Sequence, residues 1–124
     1  MSEFKDVMTA YGADYQATMS RFMGNERTYL KFLNMFFADE SFRKLGTALQ
    51  EGDGKGAFEA AHTLKGVAGN LGLTPLYEAV CDIVEPLRTG EKRDYAQLYR
   101  VIQDEFHRVE ILHRELSEGV RHEA

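Results

Sequence analysis

The sequence predicts an all-α protein, arranged as an antiparallel up-down four-helix bundle with a short additional N-terminal helix. Apolar residues recur at spacings of three and four along nearly the whole chain, which is the period of an amphipathic helix. The chain contains two prolines, Pro75 and Pro86, and no alternating runs of β-branched residues of the kind that indicate strands. Four long amphipathic segments joined by short connections favour antiparallel packing of neighbouring helices.

The length of the chain, 124 residues, fits one domain. A hydrophobic content of 44% with 28% charged residues suits a globular protein with a real core. We therefore expect a single domain over residues 1–124. Its ends, at about 1–11 and 118–124, are expected to be frayed, because chain termini are often poorly ordered and the C-terminal stretch is polar.

The first predicted helices precede a Gly-Asp-Gly turn. A short helix over 12–23 ends at Gly24, and Asn25 is a suitable N-cap for the next helix at 26–38. After a break, a helix over 40–51 reaches the turn. The segments 26–38 and 40–51 are either one kinked helix or two separate helices.

The next helix, over about 55–71, is the one on which the function depends. Gly72 is predicted to end it in the left-handed conformation. Thr74 is then expected to cap a further helix, with Pro75 at its first position, where a missing N–H costs nothing.

The C-terminal part of the chain completes the bundle. Pro86 predicts a kink or an early end of the fifth predicted helix near Glu85, because an interior proline removes a backbone hydrogen bond. The last helix is predicted over about 94–117 from a nearly unbroken apolar spacing, formed by Tyr95, Leu98, Ile102, Val109, Leu112 and Leu116.

The helix over 55–71 shows two distinct faces when its residues are placed at intervals of about 100°. One face is an apolar stripe that should face a core, formed by Ala57, Ala61, Leu64, Ala68 and Leu71. The other face carries His62, Lys65, Gly66 and Gly69, which a core would not select. We therefore expect an exposed histidine, a lysine one turn later, and no side chains at two neighbouring positions.

The two glycines on this face need an explanation, because a glycine inside a helix costs about 1 kcal/mol relative to alanine. One explanation is that they allow another macromolecule to approach the ring of His62 closely. Alternatively, the helix ends earlier, or the glycines let a neighbouring helix pack tightly. The presence of His62 and Lys65 on the same face favours the functional explanation.

Residues 61–72, Ala-His-Thr-Leu-Lys-Gly-Val-Ala-Gly-Asn-Leu-Gly, closely resemble the signature of histidine-containing phosphotransfer (HPt) domains, which reads H-x-x-K-G with small residues one turn later. The likeness includes the preceding turn and the helices on both sides. It implies a four-helix bundle whose exposed histidine takes a phosphoryl group from the aspartate of a response-regulator receiver domain and passes it to another receiver. His62 matches the phosphoacceptor.

The resemblance also implies roles for the neighbouring residues. Lys65 matches the lysine near the phosphoryl group, whose charge it is expected to stabilise. Gly66 matches the glycine that leaves room for the receiver, and Gly69 and Asn70 match the small and polar positions that follow at the docking surface. Phe58, one turn before the histidine, is either an exposed aromatic anchor for the receiver or a residue packed under the N-terminal helix.

Phosphoryl transfer to a histidine requires few other groups from the same protein. An imidazole is largely neutral at cytoplasmic pH, so one ring nitrogen keeps a lone pair that can attack phosphorus. The sequence contains no G-x-x-x-x-G-K-[ST] motif and no kinase-type glycine loop, so it should not phosphorylate itself from ATP. No carboxylate cluster lies near the histidine on the wheel. We expect a phosphoryl carrier rather than an enzyme, with no cofactor of its own and with Mg²⁺ brought by the receiver.

Composition limits the partners and the compartment. A net charge of −5 argues against nucleic-acid binding. No signal peptide is recognisable, and no stretch approaches the ~18 apolar residues of a membrane span. The single cysteine, Cys81, fits a reducing compartment, so we expect a cytoplasmic protein. Nothing indicates a dimer seam, so a monomer is expected. His107 and His113 lie roughly 120° apart on the last helix, and no metal site is predicted.

Three functions compete for such a chain. The first is phosphotransfer, with receiver domains and a hybrid histidine kinase as candidate partners. The second is a phosphorylation-independent adaptor or histidine-kinase-binding inhibitor, which a missing His62 or Lys65, or a bulky residue in place of Gly66, would favour. The third, a metal- or cofactor-binding bundle, lacks ligand spacing such as Glu-x-x-His on facing helices. Because His62, Lys65 and Gly66 are all present, the sequence favours phosphotransfer.

Overall fold

The computed structural model describes the backbone of residues 3–123 and the side chains of residues 3–119. Within this range the chain is helical and contains no strand, which confirms the all-α prediction. The described residues form seven helices: α1 (Glu3–Tyr11), α2 (Tyr15–Ser20), α3 (Glu26–Ala38), α4 (Ser41–Gln50), α5 (Gly54–Asn70), α6 (Thr74–Thr89) and α7 (Tyr95–Glu123).

The longer helices surround one hydrophobic core. α5 packs between α4 and α6, α6 packs against α7, and α7 also contacts α1, α3 and α4. Burial of each large apolar side chain stabilises such a core by about 1.5–3 kcal/mol. The largest fully buried side chains belong to Met8, Tyr29, Leu33, Leu45, Leu64, Leu73, Leu76, Val80, Ile83, Val84, Ile102 and Leu116.

The first residues of the chain correct the prediction of a frayed tail over 1–11. From Glu3 onward they form α1, which packs against α7. Phe4, Met8 and Tyr11 are all buried, and their spacing of four and three places them on one face of the helix. The burial of this face offsets the usual fraying of a terminus. Residues 1 and 2 lie outside the described part of the chain.

The short additional helix is present but smaller than the predicted segment at 12–23. α2 covers only Tyr15–Ser20, because Asp14, whose backbone is extended, takes the N-cap position. The Oδ1 atom of Asp14 accepts a hydrogen bond of 3.0 Å from the backbone N–H of Ala17. Such a cap satisfies a donor that the first turn of a helix leaves free.

Two helices, not one kinked helix, follow α2. Asn25 caps α3 as predicted, with Oδ1 accepting from the backbone N–H of Thr28 at 3.0 Å. At the start of α4, Oδ1 of Asp39 accepts from the backbone N–H of Ser41 at 2.7 Å. Asp39 itself has an extended backbone, so the helical hydrogen-bond pattern is interrupted there.

Both ends of α5 lie within one residue of the prediction. At its start, Oδ1 of Asp53 accepts from the backbone N–H of Gly56 at 2.9 Å. Beyond its end, Gly72 has the predicted left-handed conformation, with φ of +66°. A Cβ atom at this glycine would lie only 2.0 Å from Oγ1 of the buried Thr18, so a larger residue would not fit there.

The structure contradicts the predicted cap of α6 and one of the two alternatives predicted for Pro86, the early end of the helix. Thr74 is the first helical residue and Leu73 occupies the N-cap position, so Thr74 is not the cap. Pro86 does not end the helix near Glu85, because α6 continues to Thr89. The proline removes only its own donor to the carbonyl of Asp82, and its buried side chain helps to offset that loss.

The last helix is longer than predicted. α7 continues to Glu123, whereas the residues from 118 onward were expected to be frayed. Gly119 weakens a helix by about 1 kcal/mol but still supplies a backbone donor, so it does not stop the helix. Ala124 lies outside the described residues. No helix within the described range is both long enough and apolar enough to cross a bilayer.

Candidate functional site

The two faces predicted for α5 are present. Every residue of the predicted apolar stripe is buried, with at most 3% of its surface exposed: Ala57, Ala61, Leu64, Ala68 and Leu71. His62 lies on the other side of the helix and is exposed. The packing of α5 against α4 and α6 therefore holds the imidazole at the surface of the molecule.

Phe58 supports the ring of His62 from one turn earlier. The two rings are stacked, with their centroids 5.8 Å apart and an angle of 20° between their planes. Phe58 is half-buried against the core. The guanidinium of Arg88 on α6 lies 5.9 Å from the centroid of the same phenyl ring and also pairs with Glu85 at 3.2 Å. Phe58 is thus partly packed and partly accessible.

Lys65, on the same face of α5, contacts an aromatic residue of α6. Its Nζ atom lies over the ring of Tyr77, 6.0 Å from the centroid, and both side chains are half-buried. Lys65 follows His62 by three residues, so both side chains leave the same face of α5.

The two glycines of this face have different surroundings. A Cβ atom built on Gly66 meets no atom within 4 Å, so the backbone there is open. A Cβ atom on Gly69 would lie 3.1 and 3.2 Å from the Cε1 and Cδ1 atoms of Tyr77. Gly66 therefore fits the explanation of close approach from outside, while Gly69 fits the alternative of tight packing against a neighbouring helix.

The C-terminal end of α5 is anchored by side chains from two other elements. Arg21 donates from Nε to the carbonyl of Asn70 and from a terminal nitrogen to the carbonyl of Gly69, both at 3.2 Å. The hydroxyl of the buried Tyr29 donates to the carbonyl of Leu71 at 2.6 Å. A cation and a hydroxyl at these positions satisfy carbonyls that the end of a helix leaves free. Asn70 itself is exposed.

An apolar patch borders the open backbone of Gly66. We define it as Met23, Phe32 and Met35, whose exposed fractions are 94%, 42% and 56%. Phe32 and Met35 line a shallow groove together with Gly66, and Met23 and Phe32 line a second groove that also includes Asn70. This patch was not predicted from the sequence. Its signal was the presence of large apolar residues on α3 outside the buried positions Tyr29, Leu33 and Phe36.

The remaining histidines do not join the site. His107 is exposed, and its Nδ1 atom lies 3.2 Å from a carboxylate oxygen of Glu110. His113 is half-buried against Phe37, and this burial lowers the pKa of its imidazole. Within the part of the chain that the structure describes, no group of three or more His, Cys, Asp or Glu residues is placed to hold a metal ion. The side chain of His122 lies outside that part.

These features define a class of protein: an all-helical domain that presents one histidine beside open helix backbone, with a lysine one turn later. The family model described as Hpt domain matches residues 32–111, which include the whole of α5 and every residue predicted for the site. The chain belongs to the Hpt domain family. Membership implies histidine phosphotransfer in two-component signalling, in which Hpt domains interact with receiver domains and kinases. Neither the comparison with curated proteins nor that with solved structures gives a match.

Proposed function

We propose that this protein is a phosphoryl carrier of a multistep phosphorelay, which accepts a phosphoryl group on His62 from a receiver aspartate and passes it to another receiver. The observation that supports this most directly is the exposed imidazole of His62 beside the open backbone of Gly66, in a chain of the Hpt family. The helices α4 to α7, with α3 packed against α7, would form the antiparallel up-down bundle of such a domain.

The transfer is a displacement at phosphorus. The lone pair of an unprotonated ring nitrogen of His62 attacks the phosphorus of the aspartyl phosphate, the P–N bond forms, and the P–O bond to the aspartate breaks. The carboxylate leaves with the bonding electron pair. Transfer to the second receiver is the reverse displacement by its aspartate. The attacking nitrogen carries no proton, so no base is required next to His62.

The protein's own contribution is mainly position and charge. Phe58 stacks on the imidazole and limits its orientations, while Lys65 supplies a positive charge for the added phosphoryl group. The receiver is proposed to bring Mg²⁺, so this chain needs no cofactor of its own and does not phosphorylate itself from ATP. The free thiol of Cys81 fits a reducing compartment such as the cytoplasm.

The docking face proposed for the receiver consists of Gly66, Asn70 and the apolar patch. Exposed apolar residues that adjoin a polar rim are typical of protein–protein contacts. Phe58 adds the accessible part of its ring at the other side of His62. Gly69 contributes indirectly, because the tight packing of Tyr77 against it determines the shape of the face. A receiver domain bound there would act on one protein molecule at a time, in keeping with a monomer.

The proposal is tested by incubating the protein with a phosphorylated receiver domain and following the label. We expect the label on His62, in an adduct that is labile in acid and stable in base. The variant His62→Gln should take up none, while the matched variant His107→Gln, at another exposed histidine, should be labelled normally. Labelling of His62→Gln at the normal rate would overturn the proposal. Receiver binding without any labelling would favour the adaptor function instead.

A further inference from the structure

The contact between Lys65 and Tyr77 joins the candidate site to α6. The ammonium of Lys65 lies 6.0 Å from the ring centroid, a distance at which the face of an aromatic ring attracts a cation. Both side chains are half-buried, so water screens the attraction less than at a fully exposed site. The contact therefore limits where the ammonium can go.

Gly69 leaves room for the ring of Tyr77 against α5. The Cε1 and Cδ1 atoms of Tyr77 lie so close to α5 that a Cβ on residue 69 would approach them to 3.1 and 3.2 Å. On the helical wheel, Gly69 lies between Lys65 and His62. The absence of a side chain at this position thus lets the tyrosine ring rest on the same face of α5 that carries the histidine.

We propose that Tyr77 is a positioning residue for Lys65. Its ring holds the ammonium at the face of α5 that carries His62, so the positive charge is in place before the phosphoryl group arrives. Tyr77 does not touch the reacting atoms and acts only through the lysine. This inference rests on the proposed function, because it assigns to Lys65 the stabilisation of phosphoryl charge on His62.

The physical reason is the flexibility of lysine. A lysine side chain has four rotatable carbon bonds and loses much rotamer freedom when its charge is fixed in one place. If the ring already restricts those rotamers, less freedom remains to be lost during the transfer. The competing explanation is that Tyr77, which also packs against the core, only fills space between α5 and α6.

A double-mutant cycle in the whole protein separates the two explanations. The phosphoryl donor is phosphoramidate, so no receiver is involved: its P–N bond breaks with release of ammonia as the bond to the nitrogen of His62 forms. We expect Tyr77→Leu to slow phosphorylation about threefold to tenfold, and Tyr77→Phe, which keeps the ring, to react like the unchanged protein. In a Lys65→Ala background, Tyr77→Leu should cause no further loss.

A second measurement reads the contact without any phosphoryl transfer. In NMR spectra, the ring current of Tyr77 should shift the side-chain protons of Lys65, and this shift should disappear in Tyr77→Leu and persist in Tyr77→Phe. The control for losing a half-buried tyrosine is Tyr99→Leu, because the ring of Tyr99 stacks on Phe42 and contacts no residue of the site in the described contacts. It should change neither the rate nor the shift.

Three results would overturn the proposal. The first is that Tyr77→Leu slows phosphorylation equally with and without Lys65, and the second is that Tyr77→Phe slows it as much as Tyr77→Leu does. The third result is the absence of a ring-current shift of the Lys65 protons in the unchanged protein. Failure of the proposed function has a different signature. In that case a phosphorylated receiver leaves His62 unlabelled, while the lysine shift and its dependence on Tyr77 remain. Thermal unfolding of each variant shows whether slower phosphorylation accompanies a loss of folded protein.

Discussion

Gly66 and Gly69 lie three residues apart on α5, but their surroundings differ. The space above Gly66 is open, while that above Gly69 is taken by the ring of Tyr77. Each glycine weakens the helix by about 1 kcal/mol relative to alanine, so each requires a compensating reason. For Gly69 the reason lies within the fold. For Gly66 no reason lies within the described part of the fold, which supports the docking of another molecule there.

Replacing Gly66 by glutamine should therefore separate folding from transfer. Because a Cβ atom at this position meets nothing within 4 Å and the longer side chain can extend into the open groove, the fold should be kept. The helix should gain about 0.5–1 kcal/mol of stability. Transfer from a phosphorylated receiver should slow by at least about tenfold, since a well-packed contact loses more than ~1.4 kcal/mol when a side chain intrudes. The measurements are thermal unfolding and the single-turnover rate of transfer.

The matched control for this prediction is Gly119→Gln. That glycine also lies within a helix with open space around it, but on α7 and outside the site. Its replacement should stabilise its helix in the same way and leave the transfer rate unchanged. If Gly66→Gln transfers as fast as Gly119→Gln, close approach of the receiver at this point is not required.

At the scale of elements, α3 presents two apolar surfaces, one buried and one exposed. Its buried residues, Tyr29, Leu33 and Phe36, face the core, while Phe32 and Met35 face the groove beside α5. Met23, in the turn before α3, extends the second surface and has a positive φ of 56°, a conformation that is uncommon for a residue with a side chain. Such an exposed apolar surface indicates a contact site for another molecule.

Placing a charge within this surface should weaken receiver binding. Met35→Glu would bring a carboxylate into a contact where it has no partner, and burying it would cost binding free energy. We expect a loss of receiver affinity of about tenfold or more, measured by titration calorimetry. Phosphorylation of His62 by phosphoramidate should be unchanged, because His62 and Lys65 are not altered.

The same substitution elsewhere on α3 provides the comparison. Asn34 is exposed on a different side of that helix and is not part of either groove beside Phe32. Asn34→Glu adds the same charge and should bind the receiver normally. Equal affinities for the two variants would show that the receiver docks without using the apolar patch.

Elements differed in how well the sequence predicted them, for reasons that can be named. α5 was predicted to within a residue at each end, because a Gly-Asp-Gly turn precedes it and a glycine with positive φ follows it. α1 was overlooked because its stripe is short, with Phe4, Met8 and Tyr11 as its only buried residues. Its stability depends on α7, which lies almost a hundred residues away, and local periodicity carries no information about that contact.

At the scale of the whole molecule, tyrosines buried between helices link folding to pH. Burial raises the pKa of both Tyr11 and Tyr29 above the ordinary tyrosine value, because the charged form would be poorly solvated in the core. In the unfolded chain a tyrosine loses its proton near pH ~10. Between the two pKa values the unfolded state therefore binds fewer protons than the folded state.

The sign of the effect follows from this difference. Stability should be fully present below about pH 10 and should fall as the pH rises further, because ionisation then favours the unfolded chain. Urea unfolding between neutral pH and about pH 11.5 measures the slope. Tyr29→Phe should flatten the slope, while costing about 1 kcal/mol at neutral pH through the lost hydrogen bond to Leu71. An unchanged slope in this variant would contradict the assignment.

The sequence by itself determined the helical class, the exposure of His62 and the family, because these depend on a period of 3.6 residues and on a contiguous motif. The tertiary structure decided which glycine is open, what covers the other, and where the apolar patch lies. Those properties depend on side chains that different helices bring together, such as Tyr77 on α6 and Met35 on α3. The spacing of residues along one helix cannot encode which residues of another helix lie against it.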